Sequence, residues 1–420
     1  MIWLKICRTK AACQCRPGTV KAAHIWYTVI MPDIRRDERL FELVQCTIHD
    51  IGRSVDLARL EKAAAAATLS ATRSGRMAAV HRDTPTSLAL PQPLCIPLDG
   101  VPADRVGPLT ATAKIYEDGA ITILVRGKAR LALEELHHLS TTRIVGAPEG
   151  LRSLDEYAAL LFERILKLVS FAVVDPAPAE ARKTESYLSF CLQECPEGAA
   201  RYAAERREMM AALLIGEADP ARLHESQIAA ALSRPFAYRP DDLAVFDMDR
   251  CFIIDPQADY EDILLITEHA NYRLLELRAL DRLLDQRLEE AEKDLTAFGI
   301  SYANTAAQKR RRLRGRAPVR KFARIQALRV EALFILENLE NSGKIIGDYY
   351  LGQIYDRLCG ILNTDGWSRS VERRLDVLSS VYDMAKTDSA ERRTLVLEIV
   401  FIVVCIVLPL IQIWQALLLN

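Results

Sequence analysis

The most restrictive feature of this chain is its last stretch. Ile399 to Leu419 reads IVFIVVCIVLPLIQIWQALLL, uncharged, with Gln412 and Gln415 as its strongly polar members. As a helix this run is roughly 31 Å long, close to the ~30 Å hydrocarbon core of a bilayer. Apolar residues on every side of a helix call for cover. The pattern predicts a C-terminal transmembrane helix over 396–419, and packing against this protein or a twin is the alternative. Arg392 and Arg393 precede the run, Glu398 stands at its near edge and Trp414 at the far one. Basic residues on the long side hold that side in the cytoplasm, and tryptophan suits the interface. The expected arrangement is a single-pass tail anchor with the bulk of the chain cytoplasmic, at the inner membrane of a bacterium or, in a eukaryote, of a mitochondrion.

Length and composition fit a folded chain ahead of that run. At 420 residues, two or three units are expected. Half the residues are apolar, and 55 basic residues face 56 acidic ones, which argues against a globally basic nucleic-acid binder. Ten cysteines in this length are too dilute for a disulfide scaffold. Residues 1–30 stand apart: Lys5, Arg8, Lys10, Arg16 and Lys21 occur there without an acid, beside Cys7, Cys13 and Cys15. They read as an unstructured leader or as a start assigned too early, with Met31 as the true one.

Between the ends the chain reads first as mixed α/β or α+β and then as all helix. A first unit spans 40–174, with a strand at Leu40–Ile48 and a helix to about Ala67. Alternating strands at Leu109–Tyr116 and Ala120–Arg126 flank Asp118-Gly119, the pair favoured by a type I′ turn. A short helix at Leu131–Leu139 and a longer one at Ser153–Phe171 follow. The Pro-rich segment 175–182 leads to a second unit, 183–258, with a strand at Tyr187–Leu192, helices, and a hairpin of Leu243–Phe246 with Cys251–Ile254. Strand, helix, hairpin and helix thus occur twice, as in a repeated ferredoxin-like unit. From 261 to 393 the period becomes helical. Ile263, Thr267, Ala270, Leu274, Leu277, Leu284, Leu288, Ala291, Leu295 and Phe298 step by four and three, and Asp281 alone breaks the row. Phe322, Ile325, Ala332, Ile335 and Leu339 share one side of a second predicted helix, and a third stripe, Val371, Leu375, Leu378, Tyr382 and Ala385, again steps by four and three and runs on into the terminal apolar run. Such narrow seams predict an antiparallel coiled-coil stalk, or pairing with a second copy.

Candidate sites are few. Residues 309–321 carry Lys309, Arg310, Arg311, Arg312, Arg314, Arg316, Arg320 and Lys321, a charge density suited to anionic lipid or to the backbone of RNA. No aromatic residue interleaves them, which disfavours base stacking. Glu134 and His137 have the i, i+3 spacing of a metal-binding helix, but no second copy completes such a site. Glu268, Asn271, Glu276, Arg278 and Asp281 lie close to the seam, where polar groups commonly specify register or partner. Glu268 and Glu276 are about two turns apart, roughly 12 Å, too far to share a proton directly. No nucleotide-binding or zinc-protease motif occurs, and no catalytic residue, metal or cofactor is assigned.

Three C-terminal segments, GDYYLGQIYDRLCGILN (347–363), RSVERRLDVLSSVYDM (369–384) and ERRTLVLEIVFIVV (391–404), resemble the "required for meiotic nuclear division" family. Residues 268–288 and the hairpin Tyr116-Glu117-Asp118-Gly119 are similar to features of its bacterial relatives. The likeness spans about 40–410, departing at Thr364–Trp367. It implies a membrane-anchored α/β protein with a coiled-coil stalk. The eukaryotic relatives are mitochondrial and support organellar translation by organising, without an established active site. The expected function is therefore a non-enzymatic, membrane-tethered scaffold that self-associates through its coiled coils and binds an unidentified protein partner at the cytoplasmic face. Two alternatives stand beside it: a membrane-attached enzyme or metal protein with its site in the α/β head, and a tether for RNA or ribosomes through 309–321.

Overall fold

Side-chain alternation along the first strand sorts the molecule into two faces. In β1 (Arg39–Asp50), Phe41 and Leu43 enter one core while Val44, Cys46 and Ile48 enter another. The computed structural model of the protein describes residues 38–66, 71–73, 92–101, 103, 106–136, 153–297, 329–330, 332–333, 336 and 349–418. After β1 come β2 (Gly52–Val55), α1 (Leu57–Ala66), β3 (Thr72–Arg73), β4 (Leu94–Val101), β5 (Leu109–Ile115) and β6 (Ala120–Leu131). Then follow α2 (Leu154–Val169), β7 (Val173–Pro176), β8 (Thr184–Leu192), α3 (Ala199–Glu205), α4 (Arg207–Ile215) and α5 (Glu225–Ala231). The chain continues through β9 (Leu243–Phe246), β10 (Arg250–Ile254), α6 (Glu261–Ala297), α7 (Tyr349–Ile361) and α8 (Thr364–Leu418).

Eight strands form one sheet in the order β3-β4-β5-β6-β1-β8-β10-β9. The segments 39–131 and 184–254 meet in it where β1 pairs antiparallel with both β6 and β8. β8 and β10 are parallel. On the first face Ile121, Ile123 and Val125 of β6 pack with Phe190 and Phe252 under α2 and α4. The local sequence explains α2. Ser153 caps it by accepting from the Glu156 amide at 3.1 Å, acids occupy the first turn, and Leu154, Tyr157, Leu161, Phe162, Ile165 and Val169 recur on one side. On the second face, α6 and α7 cover Val44, Ile48, Leu124, Tyr187 and Ile253.

Several expectations are corrected here. Asp118 does not take positive φ; Gly119 alone does, at 91°, and the Tyr116 amide bonds the Ala120 carbonyl at 2.9 Å. The turn is thus a three-residue loop with a glycine bulge and not type I′. Gly119 is obligatory for a second reason: a Cβ there would stand 1.9 Å from the Gly52 carbonyl oxygen. The helix expected at Leu131–Leu139 gives way to the longer β6, followed by one tight turn at 133–136.

The helical seam exists, but its first part covers the sheet instead of standing free of it. The first half of α6, to Leu275, lies on the sheet, and Leu277, Leu280 and Leu284 pack with Val371, Leu375 and Leu378 of α8. Arg278 stacks over Trp367, Asp281 meets Ser370, and Asp285 meets Arg374. Numbers rising together mean that α6 and α8 run parallel. Most of the helix predicted between them, 322–339, lies outside the described residues, and a chain passing up, down and up through three helices sets its first and third parallel.

The transmembrane anchor is also corrected. Among the described residues no helix is long and apolar enough to cross a membrane. The apolar run is the end of a 55-residue helix whose first half is polar. A tail anchor, and the membrane location resting on it, are therefore not supported. Phe401 is 70 % exposed and Trp414 68 %. Residues 1–37, including the leader, lie outside the described residues.

Candidate functional site

The pleat that points Ala113 and Ile115 of β5 toward α2 points Lys114 the other way, toward α6. Glu268, Tyr272 and Glu276 recur every four residues along α6, a rise of about 6 Å per step. Lys114, Tyr116 and Asp118 recur every two residues along β5 and its turn, about 6.6 Å per step. These matching spacings mesh. Glu268, 3 % exposed, accepts a hydrogen bond from Lys114 and one from the Tyr116 hydroxyl at 2.9 Å. The Tyr116 and Tyr272 rings lie 5.0 Å apart. The Tyr272 hydroxyl reaches Asp118 without closing a hydrogen bond of normal geometry, and Asp118 acts electrostatically on Glu276.

Charges continue to either side of this ladder. Arg126 of β6 grips Glu261, at 2.7 Å through Nη2. Buried Glu42 accepts from the Tyr260 hydroxyl at 2.5 Å and from Gln193 at 3.2 Å. Farther along α6, Arg278 donates to Glu185 of β8 at 2.6 Å, and Asp281 accepts from Arg374 at 2.8 Å. Asn271 turns back into its own helix, donating to the Thr267 carbonyl at 2.9 Å. His269 stacks on Tyr355 of α7 at 5.6 Å.

Electrostatics decide what these groups can do. Burial opposes the charge on Lys114, but the facing Glu268 outweighs it and lifts the ammonium pKa above its ordinary value. Lys114 is thus an ion-pair partner, whereas an amine nucleophile needs a lowered pKa. Burial, reinforced by Glu268, holds the Cys46 thiol and the Tyr116 hydroxyl well above their usual ranges. Burial pushes Cys251 up to about 12 and Cys195 to about 11. These thiols carry negligible thiolate at neutral pH. His269 is lowered to about 4 chiefly by burial, as is His49 on the opposite face, so both imidazoles are neutral. Glu276 is raised well above the carboxylate range by burial and then by Asp118 and Asp50. Among the described residues no group of three or more His, Cys, Asp or Glu is arranged to hold a metal ion.

The structure therefore brings Glu268 and Glu276 to one ladder but gives each a different partner on the hairpin. Arg278 and Asp281 serve the junction of α6 with β8 and α8. Glu134 is exposed on its tight turn, while His137 and all of 309–321 lie outside the described residues. Glu398 is exposed on α8, and the side chains of Arg392 and Arg393 are outside the described set. Lys114, Tyr272, Arg126 and Glu42 were missed by sequence reasoning. Their signal was charge or hydroxyl at alternate positions of otherwise apolar strands, with the matching four-residue spacing on α6.

A sequence family described as "Uncharacterized protein MJ0711, N-terminal domain" matches residues 41–261. The match runs from β1 through β10 to the first residue of α6. "Uncharacterized protein MJ0711" of Methanocaldococcus jannaschii is 25 % identical over 215 residues, 51 % of this chain. The chain spans 61 % of the length of that relative. No solved structure matches significantly.

Proposed function

The chain belongs to the family of the uncharacterized MJ0711 N-terminal domain, which spans its whole sheet, and from that premise we propose a non-enzymatic organiser. The α/β body holds a long helix, and copies of the chain associate through it. The observation that carries this reading is the far end of α8. Leu397, Ile399, Val400, Phe401, Ile402, Val403 and Val404 are all exposed, and consecutive residues cover every side of a helix. Helices apolar all round are buried in stable proteins, and exposed patches of this kind mark association sites. The described seam of α6, as far as Leu284, is already buried within the chain, which leaves the far end of α8 as the uncovered apolar surface. The resemblance of the C-terminal segments to the meiotic nuclear division family, whose eukaryotic members organise rather than catalyse, agrees with the reading.

Light scattering on the full chain in aqueous buffer tests it. An oligomer is expected, and a chain ending after Arg393 is expected to be monomeric with the thermal stability of its body unchanged. A full chain that stays monomeric at every accessible concentration overturns the proposal.

A further inference from the structure

The seam that joins α6 to α8 outlasts α6. Asp281 of α6 accepts from Ser370 at 3.1 Å and from Arg374 at 2.8 Å, which sets residue 281 level with about 372 on α8. Parallel helices rise together, so the end of α6 at Ala297 is level with about 388. At that level the four-and-three step of Val371, Leu375, Leu378, Tyr382 and Ala385 meets Ser389 and Arg392, and then it resumes. From Val396 it runs by the same steps through Ile399, Val403 and Ile406 to Leu417 without a polar member. Val371, Leu375 and Leu378 are buried with α6, whereas Ile399, Val403 and Ile406 are exposed.

We propose that this resumed stripe is where copies of the chain meet, more than two of them, parallel and in register, each continuing the seam that α6 leaves. The inference rests on the association proposed above and gives it a geometry. The polar members of the terminal run stand away from the stripe: positions 398, 405 and 412, held by Glu398, Cys405 and Gln412, recur every seven residues on the outer side of the helix. The positions flanking the stripe are apolar instead. Val400, Ile402 and Val407 occupy them and are exposed, where a two-stranded coil carries charges. A face of that width is not covered by one neighbour. Isoleucine holds every second seam position, at 399, 406 and 413, with leucine or valine at the others, and isoleucine there shifts parallel coils from two strands toward three or four. One helix per copy, related by rotation about a single axis, runs parallel. In register, Pro409 then bends every copy at one level, and the α/β bodies gather at one end of the bundle.

Thiol placement in the full chain tests this. Ile399→Cys and Ile406→Cys, each combined with Cys405→Ser, change exposed positions and do not threaten folding of the body. After treatment with diamide, each variant is expected to join two copies through the introduced thiol, read as the self-linked peptide by mass spectrometry. Native Cys405 of the wild type, on the outer side, is expected to link several-fold less. Light scattering is expected to give the mass of more than two chains for the wild type and both variants alike. Antiparallel copies can bring at most one of the two positions opposite itself. An oligomer in which only one position or neither links to itself therefore overturns the parallel seam while leaving the association standing, as does linkage through Cys405 at an equal rate or the mass of a dimer. A monomer overturns the association and this geometry with it.

Discussion

The two faces of the sheet solve the same burial problem with opposite chemistry. Toward α2 and α4 the strands present Ile121, Ile123, Val125, Phe190 and Phe252, and the cover is equally apolar. Toward α6 they present Glu42, Lys114, Arg126 and Glu185 among the apolar residues, and the helix answers each with an opposite charge or a hydroxyl. An apolar face accepts any cover of suitable volume, because hydrophobic contact has no direction. The polar face accepts one helix in one register. Sliding α6 by one turn would remove Glu268 from Lys114 and leave a charge buried without its partner.

The largest test of this contrast is Glu268→Ala. It strands Lys114 and the Tyr116 hydroxyl, and a loss of about 3–5 kcal/mol is expected in denaturant unfolding. Adding Lys114→Met to Glu268→Ala should recover much of it. A double-mutant cycle showing no coupling would mean that the faces differ only in appearance.

Acid sharpens the comparison next, since each face buries one neutral imidazole. His49 stacks on Phe162 at 3.7 Å on the α2 side, and His269 lies against α7 on the other. Each has a folded pKa of about 4 against an ordinary 6.5. The unfolded chain therefore takes up protons first, and stability is lost as pH falls from about 6.5 toward 4. The loss is about 3 kcal/mol per histidine at the acid end. His49→Gln should flatten the acid limb by about half of the combined effect, read from melting temperatures across that range. The smallest expected effect is Ile123→Val on the apolar face, about 1 kcal/mol. A cost as large as that of Glu268→Ala would erase the distinction.

Much of the apolar face was legible in the sequence. Ser153 with Glu156 announces the start of α2, alternation marks β5 and β6, and short apolar runs mark β9 and β10. The polar face was legible only in halves. The seam of α6 was visible as a period, but a stripe of period 3.5 packs equally well on a helix or a sheet, and nothing local distinguishes them. Glu268 and Glu276 were noticed as interruptions, while their partners Lys114 and Asp118 lie about 150 residues earlier, beyond the reach of any local pattern. The terminal apolar run and its continuity with the helical stripe before it were plain, but the start of that helix at Thr364 was not.

That continuity turns α8 into a lever. Its 55 residues span about 82 Å, with the fulcrum near Trp367 and Val371 beside α6. A tilt of about 10° at that pivot carries the distal tip, about 70 Å away, through about 12 Å. Sub-ångström repacking over the sheet is thereby amplified into a displacement on the scale of a whole helix diameter.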